Sequence, residues 1–136
     1  MKRDLRVLFV TPELAPWAKS GGLGEVSATL PAALRALGAD VRVLVPGYSA
    51  ILAAHAGARV VATLDEPGGA LAPARLLAAE PAGAVPLLIV DCPRYYAREG
   101  TAYQDAMQRD WGDNHLRFGL LSRVAALLSL ETSDLR

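Results

Sequence analysis

Short apolar runs, bounded by glycine, proline or charged residues, recur along the chain and have the composition of β-strands. The runs at 5–10, 40–45 and 85–91 are nearly all apolar, as in parallel strands buried on both faces, and 59–64 is a further strand. Segment 71–79 stands between two turn signals and is expected to return as an antiparallel strand, which Pro73 confines to a sheet edge. The turn signals are PGG at 67–69 and PAG at 81–83. Two hairpin-like excursions therefore predict a mixed sheet.

Apolar residues at helical spacing separate some of these strands. In the first such segment they are Val26, Leu30, Ala33, Leu34 and Leu37. Gly38 follows, where a C-terminal cap belongs. A broader apolar face at 114–129 follows Asp113, a good N-cap residue, and should pack on the sheet, while 51–56 forms a short helix. Strand, glycine loop, helix and strand in succession form a βαβ unit, so we predict an α/β fold with a Rossmann-like, mostly parallel sheet.

Pro31 lies in the first helical segment, and the sequence leaves two conformations open. A proline near the middle of a helix removes the hydrogen bond to the carbonyl of Ser27 and kinks the helix. Alternatively, the first turn is irregular around Gly24 and the regular helix begins near Thr29, which places Pro31 in its first turn.

The loop between the first strand and the first helix carries the clearest candidate chemistry. Its centre, KSGGLGEV at 19–26, should lie at the carboxyl end of the strand, where ligands of such sheets bind. Gly21 and Gly22 lack a Cβ, so their backbone can take φ > 0 and let a ligand approach their amides. Those amides, the free N–H groups of the first helical turn and the charge of Lys19 suit a phosphate or a sugar oxyanion. On residue types alone, a tight turn with a solvated lysine fits equally well.

Two widespread phosphate-binding motifs do not match this loop. In a Walker A loop the lysine follows the glycines and precedes Ser or Thr, whereas Lys19 comes before Gly21. The dinucleotide fingerprint G-x-G-x-x-G is absent, because the loop contains G-G-L-G.

Long motifs around this loop resemble those of a known family. TPE at 11–13, then KSGGLGEV, then LPAALRALGADVRVLVPGY at 30–48 closely resemble the amino-terminal segment of bacterial glycogen synthases and plant starch synthases of the ADP-glucose type. That family carries K-[ST]-G-G-L-[AG]-[DE]-V followed by L-P-x-A-L-x-x-x-G-H-x-V-x-V-x-x-P-x-Y. A second match follows in order, Y-x-D at 103–105 and D-N-x-x-R-F at 113–118. The second match argues against an unrelated flavodoxin-like or nucleotide-binding module.

The resemblance implies that residues 1–136 are an incomplete amino-terminal domain of a GT-B type glycosyltransferase, with the second, nucleotide-binding domain absent. The implied reaction moves glucose from ADP-glucose to the non-reducing end of an α-1,4-glucan, with retention and without a metal or cofactor. The family's active-site histidine, in H-x-x-D-W-[HQ], would lie beyond Arg136. No catalytic residue is therefore assigned, and we expect the isolated chain to be inactive. The alternative is a non-catalytic α/β remnant that binds a sugar or a glucan.

The resemblance also implies which residues bind substrate. They are Lys19, Gly21, Gly22, Glu25, Tyr103 and Asn114. Lys19 and the glycine amides would stabilise the departing diphosphate or orient the donor sugar, and Tyr103 would lie in the donor-sugar cleft. Glu25 stands where the family commonly has Asp, one methylene shorter. A structural role and an acceptor-side role stay open for Glu13, and Arg117 matches its motif but could simply hold the start of the last helix.

An aromatic-rich polar loop, 94–112, follows the last predicted strand. Its expected anchors onto the core are Tyr95, Tyr96 and Trp111, while Cys92 before it is expected to be a small buried hydrophobe. His115 has no second histidine, cysteine or carboxylate cluster at ligand spacing, and the chain has no Asp-x-Asp pair, so we predict no metal site.

Composition and charge narrow the function further. Fourteen basic and 14 acidic residues give a net charge of zero with no basic run, so nothing predicts nucleic-acid binding. No apolar run reaches the ~18 residues of a membrane helix. The single Cys92 cannot form an internal disulfide and no signal peptide precedes the first strand, so we expect a cytoplasmic protein. No strand follows the last helix, so we also expect self-association through exposed apolar area and an open sheet edge.

Overall fold

The computed structural model describes residues 5–81 and 83–130, and within them five strands form one mixed sheet. The strands are β1 (Arg6–Val10), β2 (Asp40–Pro46), β3 (Arg59–Leu64), β4 (Ala74–Ala79) and β5 (Leu87–Asp91). Their order is β1-β2-β5-β4-β3, with β1, β2 and β5 parallel and β4 antiparallel to both its neighbours. The predicted mixed α/β sheet with a hairpin insertion is confirmed. Ala82, in the second predicted turn, and residues 131–136 lie outside the described part.

Four helices occur in the same part of the chain. They are α1 (Gly22–Ala36), α2 (Ser49–Ala54), α3 (Pro93–Tyr96) and α4 (Asn114–Leu128). α1 packs against β2, and α4 lies across β1 and β2. α2 is the short helix predicted at 51–56, whereas the single turn of α3 falls where only a loop was expected; Pro93 begins it with a φ already suited to a helix. None of the described helices has the length and apolar character needed to cross a membrane.

Two strands occupy other positions than predicted. β1 was expected to be buried on both faces, but it is an edge strand of the described sheet and its first and last residues are exposed. An apolar run indicates burial only where neighbouring elements cover it. β4 was expected at an edge, but it lies between β3 and β5. It begins at Ala74, directly after Pro73, so the proline, which has no backbone N–H, lies outside the hydrogen-bonded ladder.

α1 runs without interruption through Pro31, so a regular helix beginning only near Thr29 is excluded. The predicted glycine cap is confirmed. Gly38 has a φ of 96°, and its N–H and that of Ala39 donate to carbonyls of the last helical turn. This is the Schellman arrangement, in which glycine supplies the left-handed residue after the helix.

The apolar residues that predicted α1 are not the residues that pack. The buried positions of the helix are Gly24, Ser27 and Pro31. The large apolar side chains on the other side are exposed: Leu23, Val26 and Leu30 of the helix, and Leu37, its C-cap residue. Helical spacing therefore found the helix but not its orientation, and one side of α1 presents an apolar face to solvent. We call these four residues the outer face of α1.

α4 behaves as predicted, except at its start. It buries Leu120, Leu121 and Val124 against the sheet. Asp113 is the N-cap residue, but its side chain makes no capping hydrogen bond. Its carboxylate instead accepts two hydrogen bonds from the guanidinium of Arg98, at 2.6 and 2.7 Å. A charge-assisted hydrogen bond to a guanidinium is stronger than a capping bond to a backbone N–H, so the carboxylate binds Arg98 instead of the helix start.

The segment between β5 and α4 is anchored onto the core largely as expected. Tyr95 and Tyr96 are fully buried, and the Tyr96 hydroxyl donates to the carbonyl of Arg117 at 2.6 Å. Burial raises the pKa of Tyr96 well above its usual value. Trp111 is half-buried, with the guanidinium carbons of Arg98 and Arg117 at 4.9 and 5.5 Å from its ring centroid.

Candidate functional site

The candidate site is built on the loop between β1 and α1. Leu14 and Ala18 exchange two backbone hydrogen bonds, at 2.8 and 2.9 Å, and so close a tight turn. The N–H of Ala15 donates to the carbonyl of Gly24 at 3.1 Å, which ties that turn to the first turn of α1. The loop is therefore a folded element held against the amino end of α1.

The three glycines of this loop have different environments. A Cβ on Gly24 would lie 3.2 Å from the Cβ of Lys19 and 3.3 Å from the carbonyl oxygen of Ala18, so a larger residue here would crowd the loop and its neighbours would have to shift by a few tenths of an ångström. A Cβ on Gly21 or Gly22 would meet nothing within 4 Å. Neither has a positive φ, and the φ of Gly21, −173°, is extended, so the left-handed backbone that glycine permits is not used at either position. The fold does not need glycine at these two positions, because the space that a Cβ would occupy at each of them is empty.

Lys19 and Glu25 form an ion pair across the first turn of α1. The Nζ of Lys19 lies 2.6 Å from Oε1 of Glu25, and the two side chains are 47% and 55% exposed. An exposed pair of this kind is worth only about 0–1 kcal/mol. A bound anion can therefore replace Glu25 as the partner of Lys19 with little loss of stability.

Glu13 is buried, 4% exposed, and both oxygens of its carboxylate are used within the chain. Oε1 accepts from the backbone N–H of Ser20 at 2.7 Å, and Oε2 accepts from the hydroxyl of Tyr103 at 2.5 Å. The backbone N–H of Glu13 donates to the hydroxyl of Thr11, which in turn lies 2.9 Å from the hydroxyl of Ser27 on α1. Burial, and then the carboxylate of Glu13, raise the pKa of Tyr103. Of the two roles left open by the sequence, this geometry favours the structural one.

The same series of contacts continues from Tyr103 to α4. Nδ2 of Asn114 donates to the carbonyl of Tyr103 at 3.0 Å, and its Oδ1 accepts from Nη1 of Arg117 at 2.8 Å. Arg117, 1% exposed, also donates to the carbonyls of Tyr95 and Ala102, at 2.7 and 2.8 Å. Desolvation lowers the pKa of the Arg117 guanidinium. Arg117 thus holds the start of α4 against the preceding segment, which was one of its two expected roles.

A groove of about 360 Å³ opens beside the loop. Trp17, Lys19 and Ser20 line it from the loop, and Arg98 and Thr101 line it from the segment after β5. An exposed indole offers a flat apolar surface to a sugar ring, and Lys19 suits an anionic group, while Arg98 is paired with Asp113 and Glu99 adds a negative charge to the same groove. The groove can therefore accept a ligand that combines a ring with a negative charge.

The six residues proposed from the sequence to bind substrate are not equally placed. Four of them share the loop and the first turn of α1, and Tyr103 is linked to that loop through Glu13. Asn114 lies one step further away, with its amide engaged at both ends. Sequence reasoning missed Ser20, which acts through its backbone and so gives no signal by residue type. It also missed Trp17, although a tryptophan two residues before Lys19 was visible in the sequence as a possible sugar contact.

Metal ligation finds no support in the described ranges. Residues 5–81 and 83–130 contain no group of three or more His, Cys, Asp or Glu side chains placed to hold a metal ion. Cys92 is buried, as expected for a small hydrophobe, and burial raises the pKa of its thiol.

Sequence comparison relates the chain to one enzyme family. Residues 6–134 match the family model of the starch synthase catalytic domain. The glycogen synthase of Aromatoleum aromaticum is 57% identical over 131 residues, which cover 96% of this chain and 26% of that protein. The glycogen synthase of Dechloromonas aromatica is 54% identical over 132 residues, covering 97% and 27%. The chain thus spans about a quarter of the length of the curated relatives that it matches.

Structure comparison agrees with this relationship. The catalytic domain of starch synthase IV from Arabidopsis thaliana, solved with bound ADP and acarbose, matches with a TM-score of 0.66 at 29% sequence identity. The match covers 93% of this chain and 25% of that chain. The described sheet and helices therefore correspond to part of a starch synthase catalytic domain of the GT-B type.

Proposed function

Because the chain belongs to the starch synthase catalytic-domain family, we propose that it is the amino-terminal part of a retaining glucosyltransferase. The reaction is transfer of glucose from ADP-glucose to the non-reducing end of an α-1,4-glucan. Two relatives are glycogen synthases about four times as long, and the similar starch synthase IV was solved with ADP and acarbose. In this proposal residues 1–136 belong to the first Rossmann-like domain, and a second domain supplies the nucleotide pocket.

The observation that carries the proposal is the open space above Gly21 and Gly22 at the amino end of α1. Gly21 is the N-cap residue, so no side chain caps the N–H groups of the first turn. These groups and the helix dipole favour an anion. We assign this position to the diphosphate of the donor, with Lys19 exchanging its contact to Glu25 for a contact to phosphate.

This arrangement can lower the barrier to transfer. Negative charge on the diphosphate grows as the bond to the glucosyl group breaks, so contacts from Lys19 and the glycine amides strengthen towards the transition state. We propose that these groups supply the charge stabilisation without a metal ion or another cofactor. Glu25 keeps Lys19 in place until the donor arrives.

Tyr103 and Asn114 have supporting roles in the proposed site. The Tyr103 hydroxyl is already bound to Glu13, so its ring is the part that can contact the donor sugar. Asn114 fixes the backbone of Tyr103 from α4. The rest of the enzyme supplies the catalytic histidine and the nucleobase contacts in this proposal.

The proposal can be tested by measuring transfer of radiolabelled glucose from ADP-glucose into glycogen. The full-length protein that contains these residues should be active, and the 136-residue chain should not, because half of a cleft cannot hold donor and acceptor together. Incorporation of glucose by the isolated chain would contradict the proposal that transfer needs both domains. A full-length protein that binds glycogen without turnover would instead indicate the non-catalytic alternative.

We also propose that the protein works in the cytoplasm and that the isolated chain self-associates. The outer face of α1 and the edge of β1 that no other described strand pairs with support the second statement, since exposed apolar area and unpaired strand edges promote association. Sedimentation velocity over a range of concentrations is the measurement. A monomer that persists at high concentration would contradict self-association.

A further inference from the structure

One buried carboxylate joins two segments that are far apart in the sequence. Glu13 lies on the loop after β1, and Tyr103 lies 90 positions later, on the segment before α4. The carboxylate reaches Tyr103 with one oxygen and the backbone of Ser20 with the other. Among the described residues, the hydrogen bonds to this carboxylate come from these two segments, which together set its position.

Each end of this bridge controls part of the proposed donor site. Ser20 directly precedes Gly21, the N-cap residue of α1, so its hydrogen bond to Glu13 fixes the path of the backbone into the glycine amides. At the other end, the Tyr103 ring packs against Phe118, with 5.7 Å between ring centroids, and its hydroxyl is held by Glu13. A shift of the carboxylate would move both ends.

Resting on the proposed function, we infer that Glu13 is a positioning residue for the donor side of glucosyl transfer, which holds the glycine loop and the Tyr103 ring in one fixed relation. Both oxygens are occupied and the group is buried, so Glu13 contacts neither the donor nor the acceptor. It acts through Ser20 and Tyr103. This distinguishes it from a general acid or base, which must reach the proton that it transfers.

The geometry distinguishes three substitutions at this position. In Glu13→Gln the amide keeps the shape: its oxygen accepts from Ser20, and its NH2 group donates to the oxygen of Tyr103. Glu13→Asp keeps the charge but is one methylene too short to reach both partners. Glu13→Ala leaves the Ser20 N–H and the Tyr103 hydroxyl without their acceptor.

The first experiment measures steady-state kinetics of these variants in the full-length protein, with Glu66→Asp as a control at an exposed glutamate in the turn after β3. We expect Glu13→Asp and Glu13→Ala to lower kcat/KM for ADP-glucose by about 10- to 100-fold, since misplacing reacting groups by about 1 Å has effects of this size. The KM for glycogen should stay the same. Glu13→Gln should lose only several-fold, and Glu66→Asp should match the wild type. If Gln is as damaging as Ala, or if Asp behaves like the wild type, positioning by Glu13 is wrong.

A double-mutant cycle separates positioning from general destabilisation. Tyr103→Phe removes one end of the bridge, and combining it with Glu13→Ala should lower kcat/KM by less than the product of the two single effects, because both changes break one connection. Independent, multiplicative effects would overturn the inference. So would a loss of activity in Glu13→Ala that is fully explained by a lower melting temperature.

Hydrogen exchange provides a readout that does not depend on enzyme activity. The Ser20 amide should exchange faster in Glu13→Ala than in the wild type, while Glu13→Gln should retain most of its protection. Unchanged exchange at Ser20 in Glu13→Ala would refute the bridge itself. If the wild-type protein fails to transfer glucose from ADP-glucose but the exchange result holds, the proposed function is at fault and the bridge is not.

Discussion

The glycine loop and the segment after β5 border the groove, and they differ in whether the fold requires their glycines. In the glycine loop, added Cβ atoms at Gly21 and Gly22 would meet empty space. In the segment after β5, Gly100 has a φ of 125°, and a Cβ there would collide with the carbonyl oxygen of Gln104 and lie 3.1 Å from the Cα of Asp105. The fold requires Gly100 but not the other two.

The charged residues of the two segments show the same contrast. Lys19 and Glu25 on the glycine loop are about half exposed and touch each other. On the other side of the groove, Arg117 of α4 is fully buried with three acceptors, and Arg98 of the segment after β5 binds Asp113 through two hydrogen bonds. Residues that the fold does not need are the better candidates for ligand contact, and residues that it does need form the support. This division makes the following predictions.

The largest effect is expected on the supporting side. Arg117→Met should lower the free energy of unfolding of the chain by about 3–5 kcal/mol, because it leaves the carbonyls of Tyr95 and Ala102 buried without a donor. Chemical denaturation, followed by circular dichroism, measures the change. Arg109→Met, at a largely exposed arginine, is the matched control and should change the unfolding free energy by less than about 0.5 kcal/mol. Equal denaturation midpoints for the two variants would remove Arg117 from the supporting group.

Lys19→Ala should affect activity and spare stability. Loss of a phosphate contact that strengthens in the transition state is worth about 2–4 kcal/mol, so kcat/KM for ADP-glucose should fall by roughly two to three orders of magnitude. The melting temperature should hardly change, since the ion pair that Lys19 forms with Glu25 is exposed. Lys19→Arg should rescue activity only in part, because a planar guanidinium does not reproduce a compact ammonium group. Near-normal turnover of Lys19→Ala, or inactivity caused by unfolding, would show that the donor site lies elsewhere.

Asp113→Asn tests the ion pair with Arg98, and its effect should depend on pH. The guanidinium of Arg98 lowers the pKa of the Asp113 carboxyl below its usual range. The carboxylate therefore adds stability, about 1 kcal/mol, that is fully present above the unfolded-state pKa of about 4 and is lost as pH falls through the lower, folded-state value. Unfolding free energies of the wild type and the variant should differ at pH 7 and converge in acid. A constant difference across this range would mean that the amide, rather than the lost charge, is responsible.

Much of the fold could be predicted because its signals are local. The strand at 85–91 is apolar up to Asp91, and the helix before Gly38 has both helical spacing and a glycine where the left-handed cap falls. Positions within the sheet depend on pairing between distant residues, so β1 was wrongly expected in the interior of the sheet and β4 at its edge. The orientation of α1 was hidden for another reason. Its packed side consists of small residues such as Gly24 and Ser27, which a hydrophobic pattern does not register.

The candidate site was predictable in part for the same reason. The glycine loop is contiguous, so its motif brings Lys19 and Glu25 together in the sequence and in space. Glu13 remained open because one of its partners is a backbone amide and the other lies 90 residues away. The Asp113 side chain was expected to cap α4, because no sequence pattern predicts its pairing with Arg98.

The smallest expected change in stability is at Gly22, and it gives the sharpest test of the two kinds of glycine. Gly22 is the first residue of α1 and has open space around it. Because alanine suits a helix better than glycine, Gly22→Ala should raise the unfolding free energy by about 0.5 kcal/mol or leave it unchanged. The new methyl group should nevertheless hinder a ligand above the amide, so the KM of the full-length protein for ADP-glucose should rise.

Gly100→Ala is the matched contrast, since it places the same methyl group in a left-handed, crowded backbone. It should lower the unfolding free energy by about 1–3 kcal/mol, or more where the crowding adds to the backbone strain. Thermal melts and donor KM values for both variants decide the comparison. If Gly22→Ala also destabilises the fold, then the fold requires glycine at this position despite the open space around it. If it leaves the donor KM unchanged, the space above its amide is not where the donor binds.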